Sequence, residues 1–444
     1  MRGILLLYGV GAVLRLWLLN TSTLADTIQA RVELSTPLNG WLRVKEGVFL
    51  QSEGVPVYSG GVYHETPLML FIAGFLIRSW SSWLHAVFVA CDLLTAFTLS
   101  ALAAAYTKKL LQEQEQQASQ YTKDSAHLLL SPSTLQRCAG DVAAVYLLCP
   151  YTVLSCVAMT TTTFHNLLLA TALLAMIKGH GVLFGALVAV VTYEAVYPAV
   201  ILVPGLIALY QQQQDTATQG YCYPGKASPS GGWSVVGKSL LSCLATAAVL
   251  LLVSSEIAGG WDFIDATYGF ILTAPDLTPN IGLFWYFFTE MFEHFRLFFL
   301  AVFQLNALVY VAPLCVRLRG DPVLLSTALL ALSAVFRSYP SLGDVGFYLA
   351  LLPTCRHLYP FLRQSFLVGC MLVASSVLGP IMYNLWIYSG AANANFYFAV
   401  TLAFNTAQIF LVTDLLFGHV KRQHLLMSGS SMTVDGQPAR LTLE

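Results

Sequence analysis

Charge is what this 444-residue sequence has least of. Asp, Glu, Lys and Arg together make up 10% of it, against about 25% in a soluble domain. That excludes an ordinary soluble fold. The net charge is −1, so no basic excess points to nucleic acid. The nine cysteines show no CxxC or other metal-ligand spacing, and none lies in a segment assigned below to the side opposite the cytosol. Neither a disulfide framework nor a metal site is expected, and no cofactor is implied. Short-period repeats are absent. One long stretch lacks positive charge altogether. Between Lys238 and Arg296 there is no Lys or Arg, although Glu256, Asp262, Asp265, Asp276, Glu290 and Glu293 occur there.

What is present is apolar. Hydrophobic residues make up 57% and the mean hydropathy is +0.67. Apolar runs recur near the ~18–20 residues that cross a bilayer. The expected fold is an all-α polytopic membrane protein with about twelve transmembrane helices. Candidate spans are 3–19, 83–106, 140–158, 164–178, 180–196, 198–211, 235–254, 295–316, 323–336, 345–356, 364–385 and 396–417. Residues 1–417 then form a single multi-span membrane domain, and 418–444 a cytosolic tail. Met1–Leu19 reads as an anchored first helix, because its only small-residue exit is Thr23-Leu24-Ala25.

Pro67–Leu76 is too short to span and reads as a re-entrant or interfacial helix. Leaving it out of the count places loops 107–139 and 212–234 in the cytosol, with both termini. Loops 20–82 and 255–294 then lie on the opposite, luminal side. Fifteen of the 22 Lys and Arg residues become cytosolic, as the positive-inside rule requires.

Residues 46–69 read EGVFLQSEGVPVYSGGVYHETPLM. The order is a helix-like stretch, a Gly-Pro turn, an aromatic pair, then Thr-Pro-Leu entering an apolar helix. This resembles the first luminal loop of GT-C glycosyltransferases, in particular the mannosyltransferases that build GPI anchors. The resemblance implies an acidic residue just upstream, acting as base or metal ligand. The corresponding segment here, LSTPLNGW, has none, and no carboxylate occurs between Glu33 and Glu46. The expectation is a GT-C-like scaffold without GT-C chemistry, unless Glu33 or Glu46 takes that role.

Longer blocks carry a closer resemblance. WDFIDATYGFILTAPDLTPNIGLFWYFFTEMFEHF followed by RLFFLAVFQ, RSYPSLGDVGFYLALLP at 337–353 and LWIYSGAANANFYFAVTLAFN at 385–405 resemble the GPI transamidase subunit U family. RVELSTPL and CPYTVLSCVA agree with it. Departures concentrate in loop 212–234 and the tail. The resemblance implies one of five endoplasmic reticulum membrane subunits, with a cysteine-protease-like catalytic partner and three further membrane subunits. Such a subunit has no catalytic residue of its own and contributes GPI lipid presentation and scaffolding.

Two segments carry candidate binding residues. In 281–295, Tyr286, Glu290, Glu293 and His294 recur at helical spacing among Phe284, Trp285, Phe287, Phe288, Met291, Phe292 and Phe295. That predicts an amphipathic luminal interfacial helix, with Asn280 as its N-cap after Pro279. Asp276, Asn280, Trp285, Tyr286, Glu290 and His294 could offer aromatic surface to acyl chains and carboxylates to an amine-bearing head. The same face could instead pack on a partner subunit. A metal site from Glu290, Glu293 and His294 matches no standard motif.

The second segment is Ser389-Gly390-Ala391-Ala392-Asn393-Ala394-Asn395-Phe396, where small residues allow close approach. Asn393, Asn395 and Phe396 are candidate lipid-binding residues there, with Asn395 alternatively a helix cap. Asp92, inside a span, is expected to make an internal hydrogen bond, as are Gln304 and Asn306. The sequon Asn20-Thr21-Ser22 abuts the membrane and is expected to be unmodified. Two other functions compete. One is an active GT-C mannosyltransferase. The other is a transporter, for which paired broken spans are missing.

Overall fold

A computed structural model describes residues 2–132, 137–219, 230–429, 433–434 and 437–438. Among these the chain is helical, apart from one antiparallel pair of two-residue strands, Thr433–Val434 with Gln437–Pro438. Six helices are long and apolar enough to cross a bilayer: Gly3–Asn20, Ser81–Gln120, Gly231–Ala258, Glu293–Arg317, Ser365–Ile387 and Ala394–Ser428. A seventh crossing is possible through Cys138–Leu148 and Pro150–Val157, which meet at 50°. Pro150 causes that break. It occupies the first turn of the second helix, where its missing N–H costs nothing.

The expected dozen spans are therefore not all formed at full length. Thr162–Ile177, Gly181–Ala195 and Pro322–Phe336 are apolar helices of fewer than 18 residues. The candidate span 345–356 is a ten-residue helix, Leu342–Leu351, running into a 3-10 segment, Leu352–Phe361. Pro353 and Pro360 cannot donate to a continuing α ladder. Pro67–Ser79 has 13 residues and belongs to the same short class.

Helices also extend beyond the expected loop edges. Leu84–Gln117 enters 107–139, while Leu202–Gln219 and Ser230–Ala258 enter 212–234. The rest of that second loop, 220–229, lies outside the described residues. Ala394–Ser428 continues past Gly418 into the expected tail, most of whose remaining residues also lie outside the described set.

Two contacts explain how apolar helices find one register. Arg15 and Asp92, both fully enclosed, pair through Nε and Oδ2 at 2.5 Å. Tyr146 donates to Asp92 Oδ1 at 2.7 Å, and Arg15 Nη1 donates to the carbonyls of Gly11 and Leu147. In a low-dielectric interior a misplaced partner leaves a bare charge, so this network fixes helix Arg2–Asn20 against Leu84–Gln117 and Cys138–Leu148. Elsewhere a glycine sets the spacing. A Cβ on Gly185 would lie 2.1 Å from the Ser239 carbonyl oxygen. Gly181 and Gly185, four residues apart, thus let Gly181–Ala195 press backbone to backbone on Ser230–Ala258.

The interhelical segments gather at two ends. At one, Arg31 lies 5.4 Å from the Tyr383 ring, Arg43 approaches Asp276 at 3.5 Å, and Leu342 N–H donates to Glu33 O at 3.0 Å. At the other, Arg356 pairs with Asp141 at 3.0 Å and Thr122 N–H donates to Leu426 O at 3.1 Å.

Candidate functional site

The aromatic segment is a helix for only one part of its length. Phe284–Glu290 is helical with Leu283 as N-cap, and Met291 is extended at φ −83°, ψ 143°. The chain then turns through Glu293–Phe295 into Arg296–Asn306. The expected 281–295 helix is interrupted because its aromatic residues pack backwards. Phe284, Phe287 and Phe288 all meet Phe303, at 5.0, 4.7 and 5.4 Å between ring centroids. Continuing the helix would carry Phe303 away from all three rings.

Asn280 is not a helix cap. It is 3% exposed, and its Oδ1 accepts from Gly282 N–H at 2.7 Å in an Asx turn. That turn brings Gly282 under Pro340. Asp276 is likewise used internally. Its Oδ1 accepts from Thr278 N–H and Oγ1–H, its Oδ2 faces Arg43, and its N–H donates to Tyr339 Oη. Glu290, Glu293 and His294 are exposed and do not reach the second segment. His294 packs against the neighbouring rings of Phe292 and Phe295.

Trp285 and Tyr286 do reach it. Tyr286 donates its hydroxyl to Asn395 Oδ1 at 2.5 Å, and its ring stacks on Phe398 with centroids 4.1 Å apart. Trp285 lies against Trp386 at 5.9 Å and Tyr397 at 5.8 Å. Behind them, Arg31 holds Glu33 through Nε and Nη2 at 3.1 and 2.9 Å. Glu33 is 5% exposed and shares a small cavity with Tyr397, Ser376 and Thr401.

Asn393 ends the turn between Ser365–Ile387 and Ala394–Ser428, where Gly390 takes a positive φ of 62°, and Asn395 is the second residue of the following helix. Asn393, not Asn395, is the N-cap. Its Oδ1 accepts from Asn395 N–H at 3.1 Å. Both amide oxygens are therefore consumed inside the protein, one by the cap and one by Tyr286. Both amide NH2 groups have no acceptor among the described residues, and both residues are exposed. An amide NH2 carries two donors. Close to stacked rings and the exposed Phe396, these donors suit phosphate or sugar oxygens at an apolar boundary. The Trp285 Nε1–H is a further donor in the cluster, buried and without an acceptor among the described residues.

Sequence reasoning named Asn393, Asn395, Phe396, Trp285 and Tyr286 without placing them together. It missed Trp386, Tyr397, Phe398, Tyr383 and Arg31. The signal for Trp386, Tyr397 and Phe398 was the aromatic spacing in LWIYSGAANANFYF, which reads equally as ordinary span edge; Tyr383 and Arg31 lie outside that stretch. Asp92, Gln304 and Arg337 prove to be internal. Gln304 bonds Tyr197, Ser338 and the carbonyls of Ile271 and Leu272, and Arg337 pairs with Asp344 at 2.5 Å.

These features define a class: a multi-span helical membrane protein with an aromatic and amide-rich site where interhelical loops converge. Comparison with known proteins makes the assignment specific. Residues 9–404 match the family model "GPI transamidase subunit PIG-U". The chain is 41% identical over 426 residues to GPI-anchor transamidase component PIGU of Homo sapiens, covering 95% of both chains. The Mus musculus protein of that name matches equally, at 41% over 95% of each. GPI transamidase component GAB1 of Saccharomyces cerevisiae is 28% identical over 398 residues, 88% of each chain. The chain belongs to the PIG-U family of GPI transamidase subunits.

Proposed function

We propose that this protein is a non-catalytic subunit of the GPI transamidase complex in the endoplasmic reticulum membrane, binding and presenting the GPI lipid. The observation that carries this is the pair of amides at Asn393 and Asn395. Their oxygens are spent on the cap and on Tyr286, and their NH2 groups face outward beside an aromatic platform. Phosphate or glycan oxygens accept from the amides, while acyl chains lie along the exposed apolar surface.

The chemistry resides in a cysteine-protease-like partner subunit, and three further membrane subunits complete the assembly. Both termini face the cytosol, and the Asn393 turn, loop 20–82 and loop 255–294 face the lumen. The contacts gathering these three segments at one end support that arrangement. The mannosyltransferase reading lacks support. Glu33, the carboxylate nearest the position that reading needs, is buried and tied to Arg31.

The test is the surface level of a GPI-anchored reporter in cells whose only copy carries Asn393→Ala or Asn395→Ala, read beside copurification of the partner subunits. Reduced reporter with intact assembly is expected. A normal reporter, or one that falls only with lost assembly, contradicts the assignment.

A further inference from the structure

A second site lies apart from the asparagines, in a cavity of about 260 Å³ bounded by Glu65, Glu194, His165, Arg337, Tyr339 and Asp344. The local sequence builds it. Thr66 caps helix Pro67–Ser79 by accepting from Met69 N–H, and its own hydroxyl donates to Glu194 Oε2 at 2.9 Å. Thr161, entering helix Thr162–Ile177, donates to Glu65 Oε1 at 2.8 Å. Each carboxylate thus has one oxygen held and one oxygen without a hydrogen-bond partner among the described residues. Glu65 is more than nine-tenths buried, at 8% exposure. His165 reaches the same cavity with neither ring nitrogen bonded among the described residues.

Three carboxyl groups line this space and one guanidinium. Arg337 is committed to Asp344 at 2.5 Å. A buried carboxylate without a cation is unfavourable unless a proton or a ligand neutralises it. Burial, and next the nearby Glu194, push the Glu65 carboxyl well above its ordinary range. The remaining wall is apolar, formed by Leu68, Met69, Ile72 and Leu168. Hydrocarbon there disfavours a strongly hydrated inorganic ion and favours an organic cation with a short alkyl stem.

We propose that this cavity binds a primary ammonium group of ethanolamine type, its three N–H donors directed to Glu65 Oε2, Glu194 Oε1 and a ring nitrogen of neutral His165. The count of open acceptors matches the three donors of an ammonium and not a quaternary amine. The volume holds a head group and not a whole lipid. Two sources share this chemistry: an aminophospholipid of the bilayer, and an ethanolamine phosphate arm carried on a glycan. The proposal goes beyond the function argued above and does not depend on the Asn393 site.

The experiment uses the purified wild-type complex and a methylation series. Phosphoethanolamine and its N-methyl, N,N-dimethyl and trimethyl forms are compared by native mass spectrometry and ligand-induced thermal shift. In parallel, phosphatidylethanolamine and phosphatidylcholine of identical acyl chains compete for retention in nanodiscs. Affinity is expected to fall with every methyl added, by at least about tenfold from the primary to the quaternary amine, which corresponds to ~1.4 kcal/mol. Selective retention of phosphatidylethanolamine assigns the bilayer source. Preference only among the soluble forms assigns the glycan-borne arm. Equal behaviour of primary and quaternary amines in both formats overturns the proposal. Glu65→Gln with Glu194→Gln, which keeps size but removes both charges and replaces one acceptor oxygen of each by an NH2 donor, is expected to abolish the preference. A preference that survives in an assembled double variant also overturns it.

Discussion

Tyr286 and Asn395, 109 residues apart, share a hydrogen bond of 2.5 Å from hydroxyl to amide oxygen. The bond fixes the amide orientation. The oxygen faces the tyrosine, so the NH2 group must face away from it. Tyr286→Phe removes the donor and keeps the ring on Phe398. The freed amide can then rotate, and each orientation is lost part of the time. The expected result is a two- to tenfold weaker engagement of GPI lipid, since a neutral hydrogen bond contributes about 0.5–1.5 kcal/mol. Lipid binding to the purified complex measures it, and unchanged affinity would show that Tyr286 orients nothing.

The Arg15–Asp92 pair leads to a stability prediction. Asp92→Ala strands a guanidinium among apolar helices, and Arg15→Met strands a carboxylate. Each is expected to destabilise by about 3–5 kcal/mol, as breaking a buried pair does. Arg15→Met combined with Asp92→Leu removes both charges and is expected to recover most of that loss. Thermal unfolding of the detergent-solubilised complex reads all three. A double variant as unstable as the sum of the singles would contradict a purely paired role.

Helix spacing is testable at Gly185. Even Gly185→Ala places a carbon 2.1 Å from the Ser239 backbone oxygen, which no side-chain rotation relieves. Loss of folded protein on size-exclusion chromatography is expected for Gly185→Val, with a milder loss for Gly185→Ala. Gly237→Ala, in the partner helix with open space around it, is expected to be neutral and serves as control.

Glu65 gives a pH dependence whose sign follows from its direction of shift. Its carboxyl is raised in the folded protein by burial and by Glu194. The folded state therefore holds the proton when the unfolded chain has released it. The neutral form's advantage is fully present below the ordinary Glu pKa and declines as pH rises above it. The slope from this one group is at most about 1.4 kcal/mol per pH unit. Glu65→Gln is expected to flatten the stability of the complex between pH 5 and pH 7. An identical slope in wild type and variant would mean that Glu65 is not held neutral.

Much of this was legible in the sequence for physical reasons. Long apolar runs declare helices, and the blocks around 261–295 and 385–405 declare the family. Thr66-Pro67 declared a helix start, with a cap and a first-turn proline in place. What was illegible depends on distant partners. Periodicity extended the 281–295 helix through Met291, because nothing local reveals that Phe303 lies across from Phe287. Asn280 after Pro279 reads as a cap, yet its oxygen turns to Gly282. Asn395 read as the alternative cap, and only the folded turn makes Asn393 the cap and Asn395 the partner of Tyr286. Hydropathy registers apolar length and not a break such as the one at Pro150, inside the candidate span 140–158.

The central claim is that the two amide NH2 groups bind ligand, and one measurement isolates them. Asn393→Asp retains an oxygen that caps the helix, since Asp is as good an N-cap as Asn. Asn395→Asp retains an acceptor for Tyr286. Both changes delete the NH2 donors and add a negative charge where a phosphate would sit. The measurement is binding of GPI lipid to the reconstituted complex carrying Asn393→Asp and Asn395→Asp, with subunit stoichiometry checked on the same sample. The account expects affinity at least about tenfold weaker, ~1.4 kcal/mol, with stoichiometry unchanged. Wild-type affinity in the double variant would contradict it and leave Asn393 a helix cap and Asn395 a tether for Tyr286.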